Sequence, residues 1–241
     1  MRVSLFITCL IDQLWPAVGT SAVEVLRRAG CEVVFDERQT CCGQPAFNTG
    51  YRTEARRLAR RFIEIFEDGR ADAIVSPSGS CTAMVQHFHA LFAEDEEWRR
   101  RAESVAARTH EFGAFLVNVL GVEDVGASFH GRVTWHDACH GLRDLGVREE
   151  PRRLIRNVRG AEFVELANAD ACCGFGGTFS VKYPEISVAI LDNKIDAIEQ
   201  ADVRAVVSGD ASCLMQIGGR LTRQNSRART MHLAELLASR E

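Results

Sequence analysis

The chain has 241 residues and a mass of 26.7 kDa, enough for two domains of about 120 residues each. Hydrophobic residues at 46% and charged residues at 26% describe an ordinary globular protein, and a formal net charge of -4 excludes the concentrated basic surface of a nucleic-acid binder. No apolar run approaches the roughly 18 residues of a membrane span.

Arg2 to Thr8 (RVSLFIT) reads as a first β-strand that ends at Cys9. Asp12 and Gln13 interrupt the apolar N-terminus early, and it lacks a small-residue cleavage signature, so a strand is expected there and not a signal peptide. Trp15 to Ala29 carries helical periodicity and stops at Gly30. Cys31 to Phe35 is a second strand, followed by a polar loop from Asp36 to Gly50 that holds Cys41, Cys42 and Gly43. A loop of that length inside a compact domain is usually functional. Tyr51 to Phe66 is an amphipathic helix and Ala71 to Val75 a third strand, after which Cys81 opens another helix. Glu94 to Leu120 reads as one or two charged helices connecting to the rest of the chain.

The plan then repeats. Strands are expected at Arg132 to Trp135, Glu162 to Leu166 and Arg204 to Ser208, before Cys139, the Cys172-Cys173-Gly174 loop and Cys213 in turn. Pro184 to Gln200 is a helix, Arg229 to Met231 a last short strand, and His232 to Ser239 a closing helix. The expected domains are 1–121 and 132–241, joined by a linker at 122–131. Strands alternating with helices imply an α/β fold of two pseudo-symmetric repeats, each a small parallel sheet flanked by helices. Ligands of such sheets gather at the carboxyl edge of the strands, which is where the cysteine loops are expected.

Eight of the nine cysteines obey one spacing written twice: Cys9, Cys41-Cys42-Gly43, Cys81, and then Cys139, Cys172-Cys173-Gly174, Cys213. The interval from Cys9 to Cys139 recurs almost unchanged from Cys41 to Cys172 and from Cys81 to Cys213. Core packing has no reason to preserve vicinal pairs twice, whereas four thiolates per half suit zinc or an iron–sulfur cluster. Zinc ribbons pair their ligands as C-x2-C, which does not occur here. Neighbouring side chains on an extended chain point to opposite faces, so a vicinal pair reaches one centre only through a sharp turn. Gly43 and Gly174 permit that turn through positive φ. Helices starting near Cys81 and Cys213 would aim N–H groups at an anionic cluster, and Gly176-Gly177 either adds further N–H groups or forms a tight turn.

This arrangement resembles the cysteine-rich CCG domain found in heterodisulfide reductase and related redox proteins. That family's motif ends in C-x-x-C, and Ser78 and Asp210 stand where its first cysteine would be. The stretches CCGQPAFNTGY, SPSGSCTAMV, NVLGVEDVGAS and CCGFGGTFSVK resemble, more narrowly, the lactate utilization protein A group. The resemblance implies an iron–sulfur electron-transfer subunit of a complex that oxidises L-lactate to pyruvate, working with other iron–sulfur and small subunits. It implies up to two clusters of the [4Fe–4S] type on Cys9, Cys41, Cys42, Cys81 and on Cys139, Cys172, Cys173, Cys213, with zinc as an alternative at one site. The rival readings are a catalytic iron–sulfur protein of the disulfide reductase type and a structural zinc scaffold. No flavin or nicotinamide signature and no nucleophile elbow is present, so the chain is an oxidoreductase component without a complete active site of its own. A reducing cytoplasm is the expected compartment, with peripheral attachment to a membrane left open.

Among single residues, Cys31 is expected to be a small buried thiol. His136, Asp137 and His140 bracket Cys139 and are either supports of the centre or an ordinary polar loop. Ser78 and Asp210 are either oxygen ligands or, by default, helix N-caps. His87 and His89 are expected on the surface or in the core, and His232 opens the last helix.

Overall fold

The computed structural model describes all 241 residues. Eight strands form two sheets: β1 (Arg2–Leu5), β2 (Glu32–Val34), β3 (Ala73–Ser76) and β4 (Thr109–Glu111) in one, β5 (Ser128–Trp135), β6 (Arg159–Phe163), β7 (Ala205–Ser208) and β8 (Arg229–His232) in the other. Their orders are β2-β1-β3-β4 and β6-β5-β7-β8, the same topology twice, and every pairing is parallel. The two-repeat α/β architecture is therefore present.

The strands read as continuous apolar runs because both faces of each sheet are covered. Alternation still decides which core each side chain enters. In β3, Ala73 and Val75 point into a 28-residue central core, while Ile74 enters an outer core of the first half. In β7, Ala205 and Val207 join the same central core and Val206 the outer core of the second half. The central core is thus shared between the halves. Helix Pro16–Arg28 packs there against the last helix, Leu233–Ala238, and Arg28 seals the contact by donating to the carbonyls of Leu237 and Ala238 at 3.1 and 3.0 Å.

Some elements depart from the sequence reading. The segment read as charged helices contains only one long helix, Glu96–Ala106, and then supplies the edge strand β4. Thr109, His110 and Glu111 carry no apolar alternation to announce a strand, and they hold that form by pairing with Ile74, Val75 and Ser76. β5 begins at Ser128, ahead of the expected Arg132, and β6 runs from Arg159 to Phe163, ending short of the expected Leu166. Helix Glu149–Arg156 has no counterpart among the expected elements, and tertiary contacts hold it: Leu154 and Ile155 are buried in the central core while Arg152 reaches the buried Asp137. The Cys41-Cys42 loop contains a short helix, Gln44–Asn48.

Candidate functional site

In each sheet the three strands that precede the cysteines are neighbours, with the strand before Cys9 or Cys139 in the middle. Their carboxyl ends lie side by side, so three loops far apart in the chain empty onto one spot. Cys9 and Cys139 each open a short helix, Cys9–Leu14 and Cys139–Arg143. Cys81 and Cys213 sit in the first turn of helices Gly79–Gln86 and Ala211–Arg223.

The sulfurs converge. In the first half Cys9 Sγ lies 3.6 Å from Cys41 Sγ, and Cys42 Sγ lies 3.2 Å from Cys81 Sγ. In the second half Cys173 Sγ and Cys213 Sγ are 3.1 Å apart, and Cys139 stands close enough to feel the charge of Cys172. All eight are free thiols. The vicinal pairs bend around Gly43 and Gly174, whose φ values of +88° and +81° are strained for any other residue. Each of these glycines donates its N–H to the first sulfur of its pair at 3.3 Å. Space forbids a side chain as well: a Cβ on Gly174 would stand 2.4 Å from the Ser187 carbonyl oxygen. Gly176 and Gly177 close a tight turn, with Phe179 N–H donating to the Gly176 carbonyl at 3.3 Å and the Ser180 hydroxyl to the Gly177 carbonyl at 2.9 Å.

Crowded thiols hold their protons. Cys9 is pushed up by its contact with Cys41 and by burial, and Cys42 by contact with Cys41 and Cys81 and by burial. Cys41 is pushed down, because contacts with Cys42 and Cys9 stabilise its thiolate. In the second half Cys172 is raised by contact with Cys173, and Cys139 by burial and by the charge of Cys172. A cation that displaces these protons relieves the crowding, so the donor set fits a thiophilic metal or an iron–sulfur cluster. Four thiolates around one tetrahedral ion at about 2.3 Å would stand about 3.8 Å apart, so any metal spreads these sulfurs outward.

Ser78 and Asp210 are caps. Ser78 Oγ accepts from Cys81 N–H at 3.3 Å, and Asp210 Oδ1 accepts from Ser212 N–H at 3.2 Å. Asp210 also reaches across the halves, where its Oδ2 accepts from Ser80 N–H at 2.8 Å and from the Ser78 hydroxyl at 3.4 Å. Beside this tie, Gly79 N–H donates to Gly209 O at 3.2 Å, and a Cβ on Gly79 would stand 3.1 Å from Gly141 Cα. Helix Gly79–Gln86, which carries Cys81, therefore packs backbone to backbone on helix Cys139–Arg143. The helices that carry Cys81 and Cys139 thus meet across the joint between halves. His232 reinforces it by accepting from Ala234 N–H at 3.1 Å through Nδ1 and bonding the Pro77 carbonyl at 3.0 Å through Nε2.

The three residues around Cys139 separate in role. Asp137 is buried in an ion pair with Arg152 at 2.8 Å and accepts from Trp135 Nε1 at 2.7 Å. His140 is half-exposed and paired with Asp144 at 2.6 Å. His136 alone faces the sulfurs, and burial followed by the charge of Lys194 pushes its imidazole down to about 3, leaving it neutral. Lys194 is a residue that the sequence reading missed. It is 1% exposed and donates to the carbonyls of Asn168 and Ala169 at 2.6 and 3.1 Å. The available signal is a lysine on the apolar stripe of Leu191, Ile195 and Ile198. Cys31 is a buried core thiol, and His87 and His89 are on the surface, all as expected.

The chain is similar to known proteins along its whole length. The CCG cysteine-rich domain family matches the chain twice, over residues 3–86 and 133–218. Lactate utilization protein A of Bacillus velezensis is 50% identical over 240 residues, covering all of both chains. The proteins of the same name from Geobacillus kaustophilus and Bacillus subtilis are 51% and 49% identical, again over the full length of each. A putative Asp/Glu racemase from Yersinia pestis aligns over 99% of this chain and 96% of its own at 12% identity, with a TM-score of 0.36 that carries no weight. Two cysteine-rich repeats and near-50% identity from end to end place the chain in the lactate utilization protein A family.

Proposed function

We propose that the chain is an iron–sulfur electron-transfer subunit of a complex that oxidises L-lactate to pyruvate. The observation that carries this reading is the convergence of cysteine sulfurs at the carboxyl edge of each sheet, on loops and helices that meet across the joint. Cys9, Cys41, Cys42 and Cys81 would hold one centre within residues 1–121, and Cys139, Cys172, Cys173 and Cys213 the other within 132–241; of the expected linker 122–131, residues from Ser128 on belong to β5 of the second unit. When bound, [4Fe–4S]-type clusters supply the ability to take up and release single electrons.

The protein's own part is to hold and insulate. Buried Cys42, Cys81, Cys173 and Cys213 shield the inner side of each group, while the half-exposed Cys9, Cys41 and Cys139 and the exposed Cys172 leave one side open toward a partner. The Gly43 and Gly174 amides direct their N–H groups at sulfur, a contact that favours thiolate over thiol. In this reading the lactate-oxidising centre belongs to another member of the complex. Other iron–sulfur and small subunits are the expected partners, in the cytoplasm, and nucleic acid is not. No helix is long and apolar enough to cross a membrane, and peripheral attachment to one is compatible with this role.

A second reading, one mononuclear zinc in the second half, is favoured by the close approach of His136, Cys173 and Cys213. Disrupting the gene in its host tests the main reading. Growth on L-lactate as sole carbon source should be lost and restored by the wild-type chain but not by Cys42→Ser. Unimpaired growth on L-lactate would contradict it.

A further inference from the structure

The two repeats differ where it matters most. His136, immediately after β5, corresponds to Phe6, immediately after β1, by the same offset that relates Cys139 to Cys9. Lys194 corresponds to Phe62 by the offset that relates Cys213 to Cys81. In the first half Phe6 and Phe62 meet edge to face, ring centroids 4.8 Å apart, and nothing polar is asked of the pocket. In the second half the same two places hold an imidazole and an ammonium group. The fold therefore does not need a polar side chain there, since its twin fills the position with a phenyl ring.

His136 is 1% exposed, and neither ring nitrogen has a hydrogen-bond partner. Such orphans are rare, since a buried polar group left unpaired costs about 1–3 kcal/mol. The Ala169 carbonyl lies near enough to influence the imidazole but makes no geometrically sound hydrogen bond with it, and it accepts instead from Asp137 N–H and Lys194 Nζ, both at 3.1 Å. The backbone is pinned, with His136 N–H donating to Val207 O at 2.8 Å and its carbonyl accepting from the Ser208 hydroxyl at 3.0 Å. What the ring does face is sulfur: a ring nitrogen, Cys173 Sγ and Cys213 Sγ all lie within 4.8 Å of one another. Ligands of one tetrahedral metal at about 2.0–2.3 Å stand about 3.3–3.8 Å apart, so small side-chain rotations bring these three onto a single ion.

We propose that His136 gives a ring nitrogen to the metal centre of the second half, joining Cys173 and Cys213 in place of one outer cysteine, Cys139 or Cys172, and making it a mixed nitrogen–sulfur site where the first half has an all-sulfur one. This rests on the reading that the cysteine quartets hold metal. Replacing thiolate by neutral imidazole around iron raises the reduction potential. The second centre is then the more oxidising of the two, and the joint between halves acquires a direction.

The test uses the full chain loaded anaerobically with iron and sulfide, each centre isolated in turn by Cys173→Ser or Cys42→Ser. Pulsed EPR of the reduced Cys42→Ser chain, which keeps the second centre, should show strong nitrogen coupling that changes on 15N-histidine labelling. His136→Phe, which copies the first half, and His136→Gln should both abolish it, and Cys173→Ser should lack it. Histidine-independent coupling, or none, in a chain that carries iron and sulfide would overturn the proposal while leaving the iron–sulfur reading intact. A chain that takes up no iron would defeat that reading instead, and cobalt(II) then decides the proposal. His136→Phe must shift the visible cobalt bands, and unchanged bands would overturn it.

Discussion

The turn at the vicinal cysteines permits a graded test with glycine-to-alanine changes. Gly174, Gly43 and Gly177 all have positive φ, at +81°, +88° and +64°, so each substitution carries a backbone penalty of about 1–2 kcal/mol. They differ in space. A Cβ at Gly177 meets nothing within 4 Å, so the backbone term stands alone. At Gly43 it would stand 3.3 Å from Leu58 Cβ and 3.4 Å from Ala55 O, tight contacts that a small shift relieves. At Gly174 it would stand 2.4 Å from Ser187 O and 3.4 Å from Leu191 N, both backbone atoms of one helix, which must move. Overpacking of that kind adds about 1–3 kcal/mol, for a total of about 2–5 kcal/mol. For a chain of this size each kcal/mol lowers Tm by about 2–4 °C. Thermal unfolding of the reduced, metal-free variants should therefore rank Gly174→Ala as most damaged, Gly43→Ala next and Gly177→Ala least. Gly174→Ala should also lose metal from the second centre alone. Equal Tm values for Gly174→Ala and Gly177→Ala would refute the steric reasoning.

Glu111 is buried and its carboxyl is pushed up from 4.5 to about 7, chiefly by burial. A folded-state value above the unfolded one gives stability that is complete below about pH 4.5 and disappears as pH rises through about 7. The difference amounts to roughly 3 kcal/mol. Denaturation of the metal-free chain across that window should show Glu111→Gln gaining on wild type as pH rises, and a constant gap would contradict it. Cys31 lies in the central core away from both quartets, so Cys31→Ala should keep the full metal content and lose only about 1–2 kcal/mol of packing. Loss of metal from that variant would make it an unrecognised ligand.

The cysteine spacing makes the site legible because ligands must meet, whatever the intervening chain does. The repeated interval between corresponding cysteines also implies two like halves, and the strands before the cysteines follow from short apolar runs such as Ala205 to Ser208. Less is visible where tertiary contact overrides local pattern. β4 is Thr-His-Glu, a strand because β3 offers it a ladder and not because its residues alternate. The joint between halves rests on glycine backbones at Gly79, Gly141 and Gly209 and on one carboxylate, Asp210, none of which has periodicity. In the sequence His136 stands out only as a neighbour of Cys139. Its isolation from any hydrogen bond is a property of three-dimensional surroundings, although aligning the repeats sets it opposite Phe6.

The central claim is that each half holds its own centre. Iron and acid-labile sulfide per chain, measured on anaerobically prepared wild type, Cys42→Ser and Cys173→Ser, address it most directly. Each single substitution should remove about half of the iron and sulfide and leave the spectrum of the other centre unchanged. Loss of all iron from either change, or iron-free wild-type protein carrying stoichiometric zinc, would contradict the account.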